Sequence, residues 1–494
     1  MLAPSVAGAQ VISLHPENPH WFSWRGKTTA LVTSAEHYGA VLNLDFDYRT
    51  YLATMEKEGM NYTRIFSGSY VEPAGAFGIE HNTLAPARGR FLAPWARSEQ
   101  PGYEGGGNKF DLDRFSPQYL DRLKDFLAAA DRHGVVVELT LFCSTYSDKQ
   151  WAVHPFHPAN NVQRLQVPAW KKLHTLDNGP AMTYQEKLVR WLVTELNDFD
   201  NLFYEIQNEP WPDNHVMGEV INPYMTDHGK WPNAVEVTTA DSVAWQARIA
   251  RLIAQTEPPL PKKHLIAQNI ANFRLAVSRQ DFAPEASILN FHYVYPEAAE
   301  WNYGWDRVIG CDETGFAGSG DDAYRQEAWR FLLSGGGLFN GLDYSFAVGH
   351  EAGDLPGPNG PGGGGKTLRK QLHVLREFLE SCDLQRMRPD NTLVTHADGC
   401  AAYAMSDSQK QFAIYLVGRG GGELRLKAPA GKYGLEWIDP RDGKTIRTDE
   451  VPSNGRIILT MPQFQGEAAV KGTVVLPTGH SLSTSNTSHS PDSR

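Results

Sequence analysis

Segments that read as strand and helix alternate about eight times between Ala30 and Glu380, and few folds accommodate that order. Parallel strands joined through helices need right-handed crossovers, and about eight such units close into a (β/α)8 TIM barrel. The strands are read at Ala30–Thr33, Asn61–Phe66, Val135–Phe142, Leu202–Gln207, His264–Gln268, Ser287–His292, Arg307–Cys311 and Gly337–Leu342. The run at Val135–Phe142 is apolar except at Glu138 and Thr140, as expected of a strand covered on both faces. Helices are read between them. Asp47–Lys57 has helical apolar spacing and is closed by Gly59. Ser116 caps a helix that has Pro117 at its first position. Thr183 and Glu186 have the spacing of a capping box. Further helices are read near Thr239–Gln255, Ala323–Leu333 and Leu368–Leu379, and a strand at His20–Arg25 precedes the first unit.

Two long insertions interrupt the barrel pattern, Ser67–Phe115 and Cys143–Met182, both rich in aromatics. Loops of that length are usually functional, and their aromatic content argues for order. Pro356–Gly365, PGPNGPGGGG, is expected to be a mobile surface loop, with a lid over the site as the alternative. Beyond Arg388-Pro389 short strands recur with Gly, Asn and Asp turns, from Cys400–Met405 to Arg456–Thr460. That spacing reads as a small all-β sandwich. The expected organisation is an N-terminal segment at 1–20, a barrel at 21–385, a sandwich at 389–475 and a disordered Ser/Thr-rich tail at 476–494. Ala7-Gly8-Ala9 has the look of a signal cleavage site, although no charged region or full apolar core precedes it. It tilts the expected location toward secreted or periplasmic.

Composition excludes several classes of partner. The formal net charge is −11 and no long basic run appears, which argues against nucleic acid and anionic membrane. No apolar run approaches the ~18 residues of a membrane span. Cys143, Cys311, Cys382 and Cys400 show neither CxxC nor zinc spacing and read as free, mostly buried thiols. No metal and no cofactor is expected.

The candidate chemistry lies at strand tips. Leu202–Gln207 runs into Asn208-Glu209-Pro210, where proline ends the ladder and leaves Glu209 at the C-terminal end of a strand. Glu313 stands in matching context at the end of the seventh strand. Two carboxyl groups about three units apart face each other across a barrel mouth, and glycoside hydrolysis needs such a pair, one protonated and one ionised. His292 and Tyr293 end the strand between them, Asn208 is placed to meet a substrate hydroxyl, and His37 lies at the first tip. Trp211, Trp151, Trp301, Trp305 and Tyr146 offer flat faces on which sugar rings stack. Arg64, inside an apolar strand, is expected to pair with an acid such as Glu138 or Glu205, or to serve the site, or both.

These residues resemble those of clan A glycoside hydrolases of the cellulase-like family 5 type. Gly59-Met60-Asn61-Tyr62-Thr63-Arg64 is similar to that group's second-strand Gly-x-Asn-x-x-Arg. Asn208-Glu209-Pro210 resembles its acid/base motif, Phe291-His292-Tyr293 its sixth-strand segment, and Asp312-Glu313-Thr314-Gly315 its nucleophile strand. The resemblance implies a retaining glycosidase with a carbohydrate substrate, Glu209 as acid/base and Glu313 as nucleophile. It also implies that Arg64 and Tyr293 position Glu313 and keep it ionised. Two tips depart from the pattern: the eighth strand ends Asp343-Tyr344-Ser345-Phe346 without the frequent Trp, and the third ends Phe142-Cys143-Ser144 rather than in a His pair. The C-terminal stretch through Trp437-Ile438-Asp439-Pro440-Arg441 resembles the sandwich labelled collagen-binding in apiosidase-like enzymes, a label that carries no evidence of collagen binding here.

Other readings compete. A glycan-binding barrel would need to have lost a carboxylate, and neither is lost. A metal-dependent hydrolase could draw on His37, His154, His157 and His292, but no H-x-H or HExxH spacing supports it. Endo action of the glucanase or mannanase kind stands as the alternative to exo action, which the two insertions favour by walling off one end of a cleft. Glu209 is expected to have its pKa raised by the neighbouring charge of Glu313.

Overall fold

The computed structural model describes residues 10–212, 215–221, 224, 227, 229 and 231–475. The possible signal remnant and the Ser/Thr-rich tail lie outside the described residues. At the centre are eight parallel strands: β1 (Leu31–Ala35), β2 (Tyr62–Phe66), β3 (Val136–Cys143), β4 (Leu202–Asn208), β5 (Ile266–Asn272), β6 (Ile288–His292), β7 (Val308–Glu313) and β8 (Leu338–Leu342). They pair in the order β1-β8-β7-β6-β5-β4-β3-β2. Every residue of all eight is buried, which is why the sequence presents them as apolar runs rather than alternating ones.

No backbone ladder joins β1 to β2 among the described residues. Asn61 bridges that seam: its Nδ2 donates to the carbonyl of Ala30 at 2.8 Å and its Oδ1 accepts from the amide of Val32 at 2.9 Å. One side-chain amide thus substitutes for the missing ladder contacts. The bottom of the barrel is closed by N-terminal strands. Ile12 and Phe22 pack there against Tyr62, Val136, Phe203, Ile288 and Leu338.

Around the strands lie α1 (Tyr48–Lys57), α2 (Pro117–Arg132), α3 (Ala181–Glu195), α4 (Ala240–Thr256), the single turn α5 (Glu297–Glu300), α6 (Asp321–Leu333) and α7 (Lys366–Glu380). The link from β5 to β6 carries no helix. Asp47 and Ser116 cap α1 and α2 through their side chains, as their positions predict. The expected capping box at Thr183 does not form. α3 begins two residues earlier, and Asn178 Oδ1 accepts from the amide of Met182 at 3.1 Å. That contact satisfies an amide of the first turn, so Thr183 falls inside the helix.

The first insertion is ordered around an antiparallel hairpin, Trp95–Pro101 with Asn108–Phe115. The glycine-rich segment expected to be mobile is tethered to Asp343. Gly363 bridges to Asp343, and the amide of Gly365 donates to Asp343 Oδ2 at 3.0 Å. Gly364 has φ +105°, and a Cβ there would lie 2.1 Å from Asp343 Oδ1, so only glycine fits.

The C-terminal strands form a six-stranded antiparallel sheet and a three-stranded one, which pack as a sandwich. Three strands were not legible in the sequence, the first being the two-residue edge strand Arg388–Pro389 of the large sheet. Val394–Ala397 belongs to the small sheet, and Gln465–Val474 lies in the middle of the large one. The sandwich joins the barrel through α6. Arg325 Nε donates to Glu467 Oε1 at 3.0 Å, and Trp329 stacks on Tyr415 at 5.1 Å.

Candidate active site

The barrel interior below the mouth is polar. Arg64 on β2 is fully buried and reaches two other strands at once, β4 and β7. Its Nε and Nη2 donate to the two oxygens of Glu205 at 2.8 and 2.6 Å, Nη1 to Glu313 Oε2 at 3.2 Å, and Nη2 to Asn208 Oδ1 at 2.7 Å. Asp312 Oδ2 lies 3.3 Å from the same guanidinium. The two roles considered for Arg64, pairing with a core acid and serving the site, are one network. Asn269 ties it together by donating to Glu205 at 2.5 Å and to Asp312 at 2.9 Å.

Glu209 and Glu313 converge above this network. The hydroxyl of Tyr293 stands 3.1 Å from Glu209 Oε1 and 2.9 Å from Glu313 Oε1. A carboxylate oxygen of each, with a ring nitrogen of His292, lies within 4.8 Å of the others. Tyr146 donates to Glu209 Oε2 at 2.7 Å, and His292 Nδ1 lies 3.0 Å from Oε1. Glu209 itself sits at φ +43°, held by Asn269, which accepts from its amide at 2.9 Å, and by Ser144, whose hydroxyl donates to its carbonyl. Among the described residues nine non-glycine positions have positive φ. Five of them, Tyr38, Phe77, Glu209, Tyr293 and Phe316, line one cavity of about 70 Å³ that contains both carboxylates. Strained backbone concentrated in this way marks a site whose surroundings over-determine it.

The electrostatics reverse one expectation. Burial pushes the Glu209 carboxyl up, but the hydrogen bond and charge of His292, with the hydroxyls of Tyr146 and Tyr293, more than offset it, and its pKa is lowered. Glu313 is raised, by burial first and by the charge of Glu209, against the pull of His292 and Arg64. His292 accounts for the reversal. Burial opposes its charge, yet Glu313, Asp312 and Glu209 outweigh that and push it up to about 10. Its Nε2 lies 3.2 Å from Asp312 Oδ1, a carboxylate that Arg64 and His292 hold well below the ordinary range despite its burial. Both shifts favour the proton on His292, one hydrogen bond away, over Glu209.

The other expected site residues divide. His37 lines the cavity, as do Asn208, Tyr146 and Tyr293. Asn208 already has three partners, however: it accepts from Arg64 through Oδ1 and donates to Tyr146 at 3.0 Å and to Cys143 Sγ at 3.4 Å, so both of its N–H groups hold site residues. Tyr146 acts through its hydroxyl on Glu209 rather than as a bare stacking face. The tryptophans stand apart from the cavity that holds the two carboxylates. Trp211 is buried with its ring edge-on to His292 at 5.2 Å. Trp151 packs on His154 and His157, and Trp305 donates to the carbonyl of Val277 and packs on Phe282. Trp301 is exposed and lies against Arg274. None of the four lines the cavity. Its aromatic walls are Tyr38, Phe66, Phe77, Tyr146, Tyr293, Phe316 and Tyr344. His154 and His157 each accept from a nearby backbone amide through Nδ1 and do not join His37 or His292 in a ligand set among the described residues.

Sequence reasoning missed Glu72, Asp312, Asn269 and Tyr344. Asp312 was adjacent to a candidate and Asn269 lay just past a predicted strand, so their tip positions were available signals. Glu72 belongs to an aperiodic insertion and had none.

No family model matches the chain, and no curated protein matches it in sequence. Solved structures do match. One described as a glycoside hydrolase is 12% identical with a TM-score of 0.59, over 94% of this chain and 97% of that one. A glycoside hydrolase family 5 protein from Bacteroides vulgatus is 12% identical with a TM-score of 0.58, over 94% of this chain and 93% of that one. A second chain from that organism reaches a TM-score of 0.62 at 14% identity, over 95% of this chain and 83% of its own. At these identities the likeness is one of fold. The protein is a (β/α)8 barrel followed by a β-sandwich, and the shared architecture extends over both parts.

Proposed function

We propose that the protein is a retaining glycoside hydrolase that cleaves a β-linked glycoside by double displacement. The observation that carries this is the approach of a Glu209 oxygen to a Glu313 oxygen within 4.8 Å under one shared tyrosine hydroxyl. Direct attack on an anomeric carbon needs carboxyl groups ~5–5.5 Å apart, whereas an interposed water needs ~6.5–9.5 Å. In this reading Glu313 attacks the anomeric carbon while Glu209 gives its proton to the departing oxygen. The ester bond to Glu313 is then broken by water, whose proton returns to Glu209. His292 supplies Glu209 with that proton across their 3.0 Å contact when substrate displaces solvent. The transfer removes the imidazolium charge and the Glu209 charge together, and leaves Arg64, at 3.2 Å, as the cation facing Glu313.

Exo action is supported by the walls of the cavity. Glu72, Phe77, Ile79, Leu84 and Tyr146 come from the two insertions and form part of its wall. The family 5 resemblance of the four tip motifs and the fold of the solved relatives agree with the reaction class. The resemblance of the sandwich to that of apiosidase-like enzymes is compatible with a part packed on α6. Aryl β-glycosides test the reading. Glu209→Ala is expected to slow poor leaving groups far more than activated aryl groups, with partial rescue by azide, and Glu313→Ala to abolish both. Equal loss on all leaving groups in Glu209→Ala, without rescue, counts against the assignment.

A further inference from the structure

Glu72 and His37 form a polar pair in the cavity wall that the hydrolytic scheme does not use. Glu72 enters from the first insertion and is 6% exposed. Tyr70 donates to its Oε1 at 3.1 Å and Asn82 to its Oε2, so the carboxyl group is fixed in place. His37 follows β1. Its Nδ1 is 3.5 Å from the hydroxyl of Tyr344, while Nε2 has no protein partner and lies 4.0 Å from Glu72 Oε2. Burial and the charge of Arg64 push this imidazole down to about 3, so it is neutral. When Tyr344 donates to Nδ1, the one remaining proton is on Nε2. A buried N–H without an acceptor costs free energy unless a ligand supplies one.

The spacing defines that ligand. An oxygen hydrogen-bonded to both atoms fits a 4.0 Å gap, accepting from Nε2–H and donating to Glu72. A hydroxyl does both, and a sugar hydroxyl would take the place that a water otherwise fills. Among the described residues the cavity has no Lys or Arg in its lining, while it holds three carboxyl groups, Glu72, Glu209 and Glu313. The charges of Arg64 and His292 are already engaged below it by Glu205, Asp312, Glu209 and Glu313. An anionic sugar has no free counter-charge here and faces the Glu209 carboxylate, whose pKa is lowered, while Glu72, pushed up to about 7 by burial, adds repulsion as pH rises.

We infer that His37 and Glu72 are specificity-determining residues that clamp one hydroxyl of a neutral terminal sugar, and that the site rejects uronic acid and sulfated or phosphorylated glycosides. This rests on the glycosidase reading, which fixes the terminal sugar in the cavity beside Glu209 and Glu313. Loss of the clamped hydroxyl is expected to cost about 10–100-fold, which is about 1.4–2.7 kcal/mol at about 1.36 kcal/mol per tenfold.

The test uses the p-nitrophenyl β-glycoside that the protein turns over best, with its four monodeoxy derivatives. One derivative is expected to fall about 10–100-fold in kcat/KM in the wild type, and the same gap to shrink to under about threefold in His37→Ala and Glu72→Gln. Discrimination at every position that is unchanged in both variants overturns the clamp. Binding separates this from the parent reading. Glu313→Ala is titrated calorimetrically with the same glycosides and the corresponding uronide, and is expected to bind the parent best and the uronide least. Absence of turnover of any glycoside by the wild type would count against the glycosidase. Equal binding of parent, deoxy derivatives and uronide by Glu313→Ala would count against the clamp.

Discussion

Tyr293→Phe removes one oxygen and little else. The ring packs edge-on to Trp231 and Phe316, both at 5.5 Å, and to His292 at 5.6 Å, and all three contacts survive the substitution. What is lost is the hydroxyl between the two carboxylates, 2.9 Å from Glu313 and 3.1 Å from Glu209. A hydroxyl carries one proton, so it donates to one of the pair at a time. In the working enzyme that is Glu313, which must be ionised, while protonated Glu209 donates to the phenol oxygen. A hydrogen bond to a charged group is worth about 1.5–3 kcal/mol, which corresponds to a loss of about 10–150-fold in kcat. The sign of the pH effect follows from the same bond. The tyrosine hydroxyl holds the Glu313 pKa down against burial, so its removal raises that pKa and moves the acid limb of the kcat/KM profile to higher pH. The assay is a pH–rate profile on an activated aryl glycoside, with a thermal melt as a control for folding. An unchanged acid limb with wild-type kcat refutes the role given to this hydroxyl. A lowered melting temperature with proportionate loss of activity at every pH assigns it to packing instead.

Glu467→Ala leaves buried Arg325 without its principal partner and is expected to cost about 3–5 kcal/mol in urea unfolding, whereas Arg325→Met combined with Glu467→Leu costs much less. A double variant as unstable as the single one contradicts this account of the barrel–sandwich contact. Glu327, which accepts from Thr314 at 2.8 Å, is pushed up to about 8 by burial. A carboxyl whose folded pKa lies above its unfolded one binds more protons when folded, so its stabilising contribution fades as pH rises from about 4.5 to about 8. Glu327→Gln is expected to flatten the stability–pH curve by up to about 1.4 kcal/mol per pH unit across that window, and parallel curves would show that this group does not titrate there.

The strands of the barrel were legible because each is buried on both faces, and burial on both faces writes a mostly apolar run broken only by the few polar residues that face the interior. The tips were legible for a related reason: Glu209 and Glu313 end such runs, and a polar residue at that point has only the barrel mouth to face. Side-chain direction was not legible. Trp211 follows Glu209 by two positions, yet its ring turns inward onto His292, and nothing in the spacing distinguishes that from an exposed platform. The strand Gln465–Val474 was missed because its buried residues are mostly small: Glu467, Ala468, Ala469 and Val470 give no bulky alternation. The capping box failed on competition, since Asn178 reached the helix start first. The direction of the Glu209 shift was misjudged because it depends on the charge of His292, which the Asp312–His292 contact between two strands supports and which appears only in three dimensions.

The central claim is that Glu313 reaches the anomeric carbon with no water between. Proton NMR of the first sugar released, recorded before mutarotation, tests it directly. Oxygens within 4.8 Å predict that the β-glycoside yields the β-anomer first, with the α-anomer appearing only as mutarotation proceeds. An α-anomer as the initial product would contradict the double displacement and make Glu313 a general base acting through water.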